Sequence, residues 1–269
     1  MDSRALVKGF KSGVGMIRRQ DLNFFLNELL AIEQFEDYGP NGLQVEGRET
    51  IHRLAFAVSA SREAIEAAVE LKADALVVHH GLFWSAQGPR PLVGPLMHRV
   101  GPLIRHEISL FAYHLPLDAH PIHGNAAVLG RALGLQALKP FGDYRGQAVG
   151  VQGVLPSASR VVDLQDQLAG LLHHQVCLAS REPDARVSSV GIITGGASSG
   201  WRQALDAGLD VYITGEMSEH DWHDSREAGI HLFAGGHTAT EVFGVQSLKA
   251  LLETRFGLEG SFIDSQNPL

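Results

Sequence analysis

The sequence predicts an α/β protein of two domains, each with a largely parallel or mixed sheet covered by helices. Three observations predict it. Short apolar runs alternate with amphipathic stretches of helical period, the signature of βαβ units. That rhythm occurs twice, on either side of a polar, turn-rich stretch, Lys139 to Arg145. And 269 residues with 45% hydrophobic content suffice for two small cores or one large one.

In chain order, Met1 to Gly15 carry Arg4, Lys8 and Lys11 against Asp2 alone, and read as a disordered extension before a second potential start at Met16. Leu22, Phe25, Leu26, Leu29 and Leu30 recur at helical spacing behind Asp21. Asp37 to Gly47 (DYGPNGLQVEG) is turn chemistry, read as a loop that shapes a site. LAFAVSAS (Leu54 to Ser61) reads as a strand, REAIEAAVELKA as a helix, and DALVVHHG (Asp74 to Gly81) as a strand ending on histidine. PLMHRVGPLIRHE predicts a helix interrupted near Gly101-Pro102, and SLFAYHLPLD (Ser109 to Asp118) a third strand. An Asn-led helix follows, closed by Gly134. The first domain is accordingly set at 16–138, with His79, His80 and Asp118. The second, 139–269, repeats strand and helix from AVGVQGVL through TEVFGVQSLKALLETRFG and contains His237 and Glu241. The final helix or the strand GSFIDS has the option of returning to the first domain.

Charge and cysteine usage narrow the chemistry. Lys+Arg number 22 against 30 Asp+Glu, a net charge of −8, so general electrostatics do not support nucleic acid as a partner. No apolar run is long enough to span a membrane and no signal peptide opens the chain, which places it in the cytoplasm. The single Cys177 excludes an intrachain disulfide and thiolate zinc motifs. Any metal must therefore sit on histidine and carboxylate. Histidine is abundant, with 14 copies.

His79 and His80 end a buried strand at the sheet edge where ligands gather in open α/β sheets; their plain reading is one core and one solvated imidazole. Asp118 ends the next predicted strand, with His114 four residues before it; its plain reading is a helix cap or turn. His237 and Glu241 share one helix face at i, i+4, or merely line a solvated helix start. Together the five offer three imidazoles and two carboxylates, suited to two ions of Zn, Mn, Fe or Ni. Glu216, in TGEMSEH, is an acid/base candidate or a supporting group, like His114. TGGASSG (Thr194 to Gly200) reads as a tight turn or a phosphate cradle. His173-His174 reads as structural.

NGLQVEG, VVHHGLFW, YHLPLDAHPIHGN, TGEMSEH, GGHTATEVFGV and FIDSQNP, in that order, resemble the Nif-three-like dinuclear-metal family, whose members carry the name GTP cyclohydrolase 1 type 2 homologue. The resemblance runs from about Met16 to the C-terminus and is to the short bacterial form. It implies a Nif-three-like fold, two divalent metal ions per chain on His79, His80, Asp118, His237 and Glu241, and a toroidal homohexamer. It further implies a small-molecule substrate, GTP or another nucleotide, opened by hydroxide attack on the guanine ring with loss of formate. Two alternatives stand beside it: a dinuclear-metal phosphoesterase or other hydrolase, and a metal-binding regulatory ring without turnover.

Overall fold

The computed structural model describes residues 15–269; all but Gly15 of the predicted N-terminal extension lies outside the described residues. Its elements, in chain order, are β1 (Ile17–Arg18), α1 (Arg19–Leu30), β2 (Gly42–Val45), β3 (Thr50–Ile51), β4 (Arg53–Ser59), α2 (Arg62–Glu70), β5 (Ala75–His80), α3 (Gly94–Arg105), β6 (Ser109–Ala112), α4 (Leu115–Asp118) and α5 (Asn125–Ala132). There follow β7 (Gln136–Tyr144), β8 (Gln147–Arg160), α6 (Val161–Leu172), β9 (Cys177–Ala179), β10 (Arg186–Ile192), α7 (Trp201–Asp206), β11 (Val211–Thr214), α8 (Glu219–Ala228), β12 (His231–Ala234), α9 (His237–Phe256) and β13 (Glu259–Phe262). Two compact units result. The first ends at His114 and regains residues 248–264; the second holds residues 115–247 and 265–269.

The first unit is built on a five-stranded sheet in the order β13-β4-β5-β6-β2. Its inner strands are parallel and β2 joins antiparallel at the edge. Ala55, Ala57, Leu76, Val78, Leu110 and Ala112 point to one face, where Ile65 and Ala68 of α2 and Leu96, Val100 and Leu103 of α3 bury them. The alternate residues Phe56, Val77 and Phe111 are equally buried, so the strands read as continuous apolar runs, as fully covered parallel strands do. Ser61 caps α2 by accepting the Ala64 N–H at 3.1 Å.

Several elements differ from expectation here, each for a local reason. The turn-rich 37–47 stretch contains β2, entered through Gly42 at φ +99°, a conformation that glycine reaches without penalty. Helix α3 continues through Pro102; only one backbone donor is missing while Leu96, Val100 and Leu103 stay packed. The predicted strand 109–118 stops at Ala112, and Asp118 lies in the single helical turn α4. The strand β13 pairs in parallel with β4, Phe262 opposite Phe56, which makes the first unit discontinuous in sequence.

The second unit is a six-stranded mixed sheet, β7-β8-β10-β11-β12-β9, with β10, β11 and β12 parallel. Leu164 and Leu168 of α6 and Ala126 and Leu129 of α5 pack on Val151, Val190, Ile192, Ile213 and Phe233. The division from the first unit falls at 114/115, not 138/139, and so Asp118 belongs to the second unit. The reason is its hydrogen bonds to Asn125 and Thr194, together with the packing of α5 into this core. Lys139 to Arg145 is not a linker but mostly β7, an edge strand in which Pro140 is tolerated because only β8 pairs with it.

Candidate functional site

The first unit assembles three imidazoles at the end of β5. His79 is fully buried, and its Nδ1 donates to the Tyr113 carbonyl at 2.9 Å, one residue past β6. His80 stands opposite Ser59 in the parallel register of β4 and β5, which brings the Ser59 hydroxyl to 3.0 Å from His80 Nδ1. His114 follows β6; its Nδ1 donates to Asp37 Oδ1 at 2.7 Å, and Asn41 accepts the His114 N–H at 2.8 Å. Burial raises the Asp37 carboxyl, but the bonds from His114, Asn41 and Tyr38 outweigh that and hold it below the ordinary range. The three histidines each place a ring nitrogen within 4.8 Å of the others. With Nδ1 of His79 and His114 committed as donor, Nε2 is the nitrogen whose lone pair could hold a metal ion.

Neighbouring strand residues normally face opposite sides, yet the His79 and His80 rings lie 4.6 Å apart. The last β5–β6 pair is Val78 with Ala112, so His79 and His80 lie beyond the end of β6 while His80 still pairs with Ser59 of β4. Gly81 is required just after them: a Cβ there would meet Gln44 at 2.4 Å and the Ala112 Cβ at 2.7 Å. Trp84 stands edge-on to His114 with ring centroids 5.2 Å apart. Asp37, Asn41, Ser59 and the Tyr113 carbonyl were not assigned roles from sequence; for Ser59, the register of β4 against β5 was the missing information.

The second unit holds the carboxylates. Asp118 Oδ1 accepts from Asn125 Nδ2 at 2.8 Å and from the Thr194 hydroxyl at 3.4 Å. Glu241, 3% exposed, lies one turn after His237 on α9, and His237 Nε2 is 3.2 Å from Glu241 Oε2. His237 Nδ1 meets Glu216 Oε1 at 2.5 Å. Burial opposes charge on His237, but Glu241 first and Glu216 second outweigh it, and the imidazole is pushed up to about 9. A pair of carboxylates thus makes this position strongly cation-favouring.

The loop TGGASSG serves these carboxylates. Thr194 donates to Asp118, and the Gly195 N–H is taken by the Thr240 hydroxyl at 3.1 Å. Gly195 adopts φ +68°, and a Cβ there would lie 2.0 Å from Glu241 Oε1. It is a tight turn that backs Glu241. Beside Glu216 a cleft of about 840 Å³ opens, walled by Val176, Cys177, Met217 and Trp222 and edged by His174, Glu216 and Glu219. His174, read as structural, therefore borders the cleft; its Nε2 bonds the Pro268 carbonyl at 3.0 Å.

The profile of Duf34/NIF3 (NGG1p interacting factor 3) matches residues 17–268. The chain belongs to the Duf34/NIF3 family. Among family relatives, a Deinococcus radiodurans protein is 39% identical over 254 residues, covering 94% of this chain and 95% of its own. One from Neisseria meningitidis serogroup A is 41% identical over 253 residues, covering 94% and 100%. Both carry the name GTP cyclohydrolase 1 type 2 homolog. The solved structure of the protein ybgI, of unknown function, superposes with a TM-score of 0.86 at 36% identity, covering 94% of this chain and all of that one. The α/β architecture is thus that of NIF3 proteins, as the motifs implied. Among the described residues, no helix is long and apolar enough to cross a membrane.

Proposed function

We propose that this Duf34/NIF3 chain is a divalent-metal-dependent hydrolase whose ligands are His79, His80, Asp118, His237 and Glu241. The observation that carries the reading is the way its histidines are held. Nδ1 of His79 meets a backbone carbonyl, that of His80 a serine hydroxyl, and those of His114 and His237 a carboxylate each. Such partners orient metal-ligating imidazoles and raise their basicity. The donor set fits: nitrogen and oxygen without thiolate suits Zn, Mn, Fe or Ni, and the buried acids Asp118 and Glu241 supply compensating charge. Two such ions supply Lewis acidity and bring the pKa of water toward neutrality.

The chain's own residues do the rest. Glu216, bonded to His237 and exposed at the cleft, is placed to take and return a proton; His114, backed by Asp37, is the second such group. Met217 and Trp222, over whose ring the Arg226 guanidinium sits at 4.0 Å, give the cleft an apolar wall suited to a purine ring. The substrate proposed from the names of the relatives is GTP, its guanine ring opened hydrolytically with release of formate, and the working assembly a homohexameric ring. A second reading is favoured by the cleft itself. Glu216 and Glu219 line it, with no lysine or arginine among its lining residues, so a less anionic hydrolysable substrate suits it better than a triphosphate.

Formate release from GTP separates the two. Purified protein loaded in turn with Mn, Zn, Fe or Ni should release formate, and Asp118→Asn should not. Bound metal without formate would discard GTP ring opening and leave the second reading to be tested by substrate profiling. If nothing is turned over and Asp118→Asn disrupts assembly, the metals belong to a regulatory ring.

A further inference from the structure

Asn125 stands out among the groups that touch proposed ligands. It is fully buried, and both ends of its amide are used. Nδ2 donates to Asp118 Oδ1 at 2.8 Å, and Oδ1 accepts the Gly244 backbone N–H at 2.6 Å. Gly244 lies in α9, three residues beyond Glu241, and is 119 positions from Asn125 in sequence. One amide therefore ties the Asp118 carboxylate to the helix that bears the other buried carboxylate.

Gly244 gives an independent indication. A glycine inside a 20-residue helix weakens that helix, and it needs a reason. A Cβ at this position would lie 2.8 Å from Asn125 Oδ1 and 3.0 Å from Leu117 Cγ. The helix is thus bare at the point where Asn125 approaches. The amide's polarity also matters. An N–H must face the carboxylate and a carbonyl must face the helix N–H, so aspartate, of the same shape, presents the wrong group to Asp118.

We infer that Asn125, admitted by Gly244, is a positioning residue that fixes Asp118 relative to Glu241 and thereby sets metal affinity. It acts through Asp118 rather than by touching the ion. The inference rests on the proposed metal reading.

The test is a titration of the full-length protein with Mn or Zn by calorimetry, with folding followed by circular dichroism. Wild type, Asn125→Ala, Asn125→Asp and Gly244→Ala are compared with Leu168→Ala, which weakens the same core without touching the amide. The expected result is metal binding by wild type, a loss of about tenfold or more in affinity in both Asn125 variants, a similar loss in Gly244→Ala, and wild-type affinity in Leu168→Ala. Gly244→Ala approaches the amide from the helix side, so a variant of Asn125 that fails to fold does not end the test. Wild-type affinity in folded Asn125→Asp and Gly244→Ala would overturn the positioning role while leaving the metal reading intact. Equal losses in Leu168→Ala would overturn it as well, by reducing it to stability. Absence of binding by wild type itself would overturn the metal reading, and the inference with it.

Discussion

The two units hold their proposed ligands by different means. In the first, the sheet does the work: His79 is fixed by the Tyr113 carbonyl just past β6 and His80 by its register neighbour Ser59. In the second, carboxylates are fixed by side chains and turns from separate segments, Asn125, Thr194 and Gly195 among them. At His79 the partner is main chain, and a hydrogen bond to main chain survives substitution of the residue that supplies it. Side-chain placement does not, so the second unit is the more fragile host.

Gly195→Ala in the second unit should give the largest loss of stability. It combines a left-handed φ with a Cβ 2.0 Å from Glu241 Oε1, and backbone strain plus overpacking should cost about 4 kcal/mol in urea unfolding. Gly81→Ala in the first unit meets the flexible amide end of Gln44 and the Ala112 Cβ, but at a φ outside the left-handed region, and should cost less. Equal losses would erase the contrast.

Acid should act next most strongly, and through the second unit. Asp221 is nearly buried and accepts from Ser198, Trp201 and Arg202. Burial raises its carboxyl, but those bonds and that from Ser218 dominate and hold it far below the ordinary range. Its folded pKa lies under its unfolded one, so its contribution is present above about pH 4 and is lost as pH falls further. His231 and His123 are also held below the ordinary histidine value, chiefly by burial. Their unfolded forms bind protons first, so stability begins to fall below about pH 6.5. Asp221→Asn should remove part of the steep limb below pH 4 and cost about 2 kcal/mol at neutral pH. An unchanged acid limb would contradict the assignment.

Ser59→Ala should give the smallest effect. It removes the partner of His80 Nδ1 but leaves β4 and β5 paired, and stability should change by about 1 kcal/mol or less. Metal affinity should fall more modestly than in the Asn125 variants. A larger loss than theirs would reverse the ranking of the two units.

The same contrast explains what was legible in the sequence. The histidines were visible because ALVV ahead of His79 and His80 marks a buried strand whose end is a sheet edge, and His237 with Glu241 because i, i+4 spacing is local. Asp118 was picked out with the wrong geometry. The apolar run through Leu117 hides the switch from β6 to the helical turn α4, and the domain boundary was misplaced with it. Strand β7 was concealed by Pro140 and by Gly142 at φ +78°, residues that signal a turn unless one knows that the strand lies on an edge. Asn125, Thr194 and Gly244 fall inside the motifs, but the bonds of Thr194 to Asp118 and of Gly244 to Asn125 join positions more than 70 apart, which no local pattern shows. Asn125 does open its helix, behind Gly124 at the cap position, but its side chain is spent on Asp118 and Gly244.

Whether this chain holds divalent metal on His79, His80, Asp118, His237 and Glu241 is decided by metal content per chain. Elemental analysis of wild type, His79→Ala and Glu241→Gln, each dialysed against the same Zn or Mn buffer and shown to be folded, gives the count. Wild type should hold about two ions per chain, and both variants should lose metal. Full occupancy retained in either folded variant, or a wild type that holds no ion, would contradict that reading.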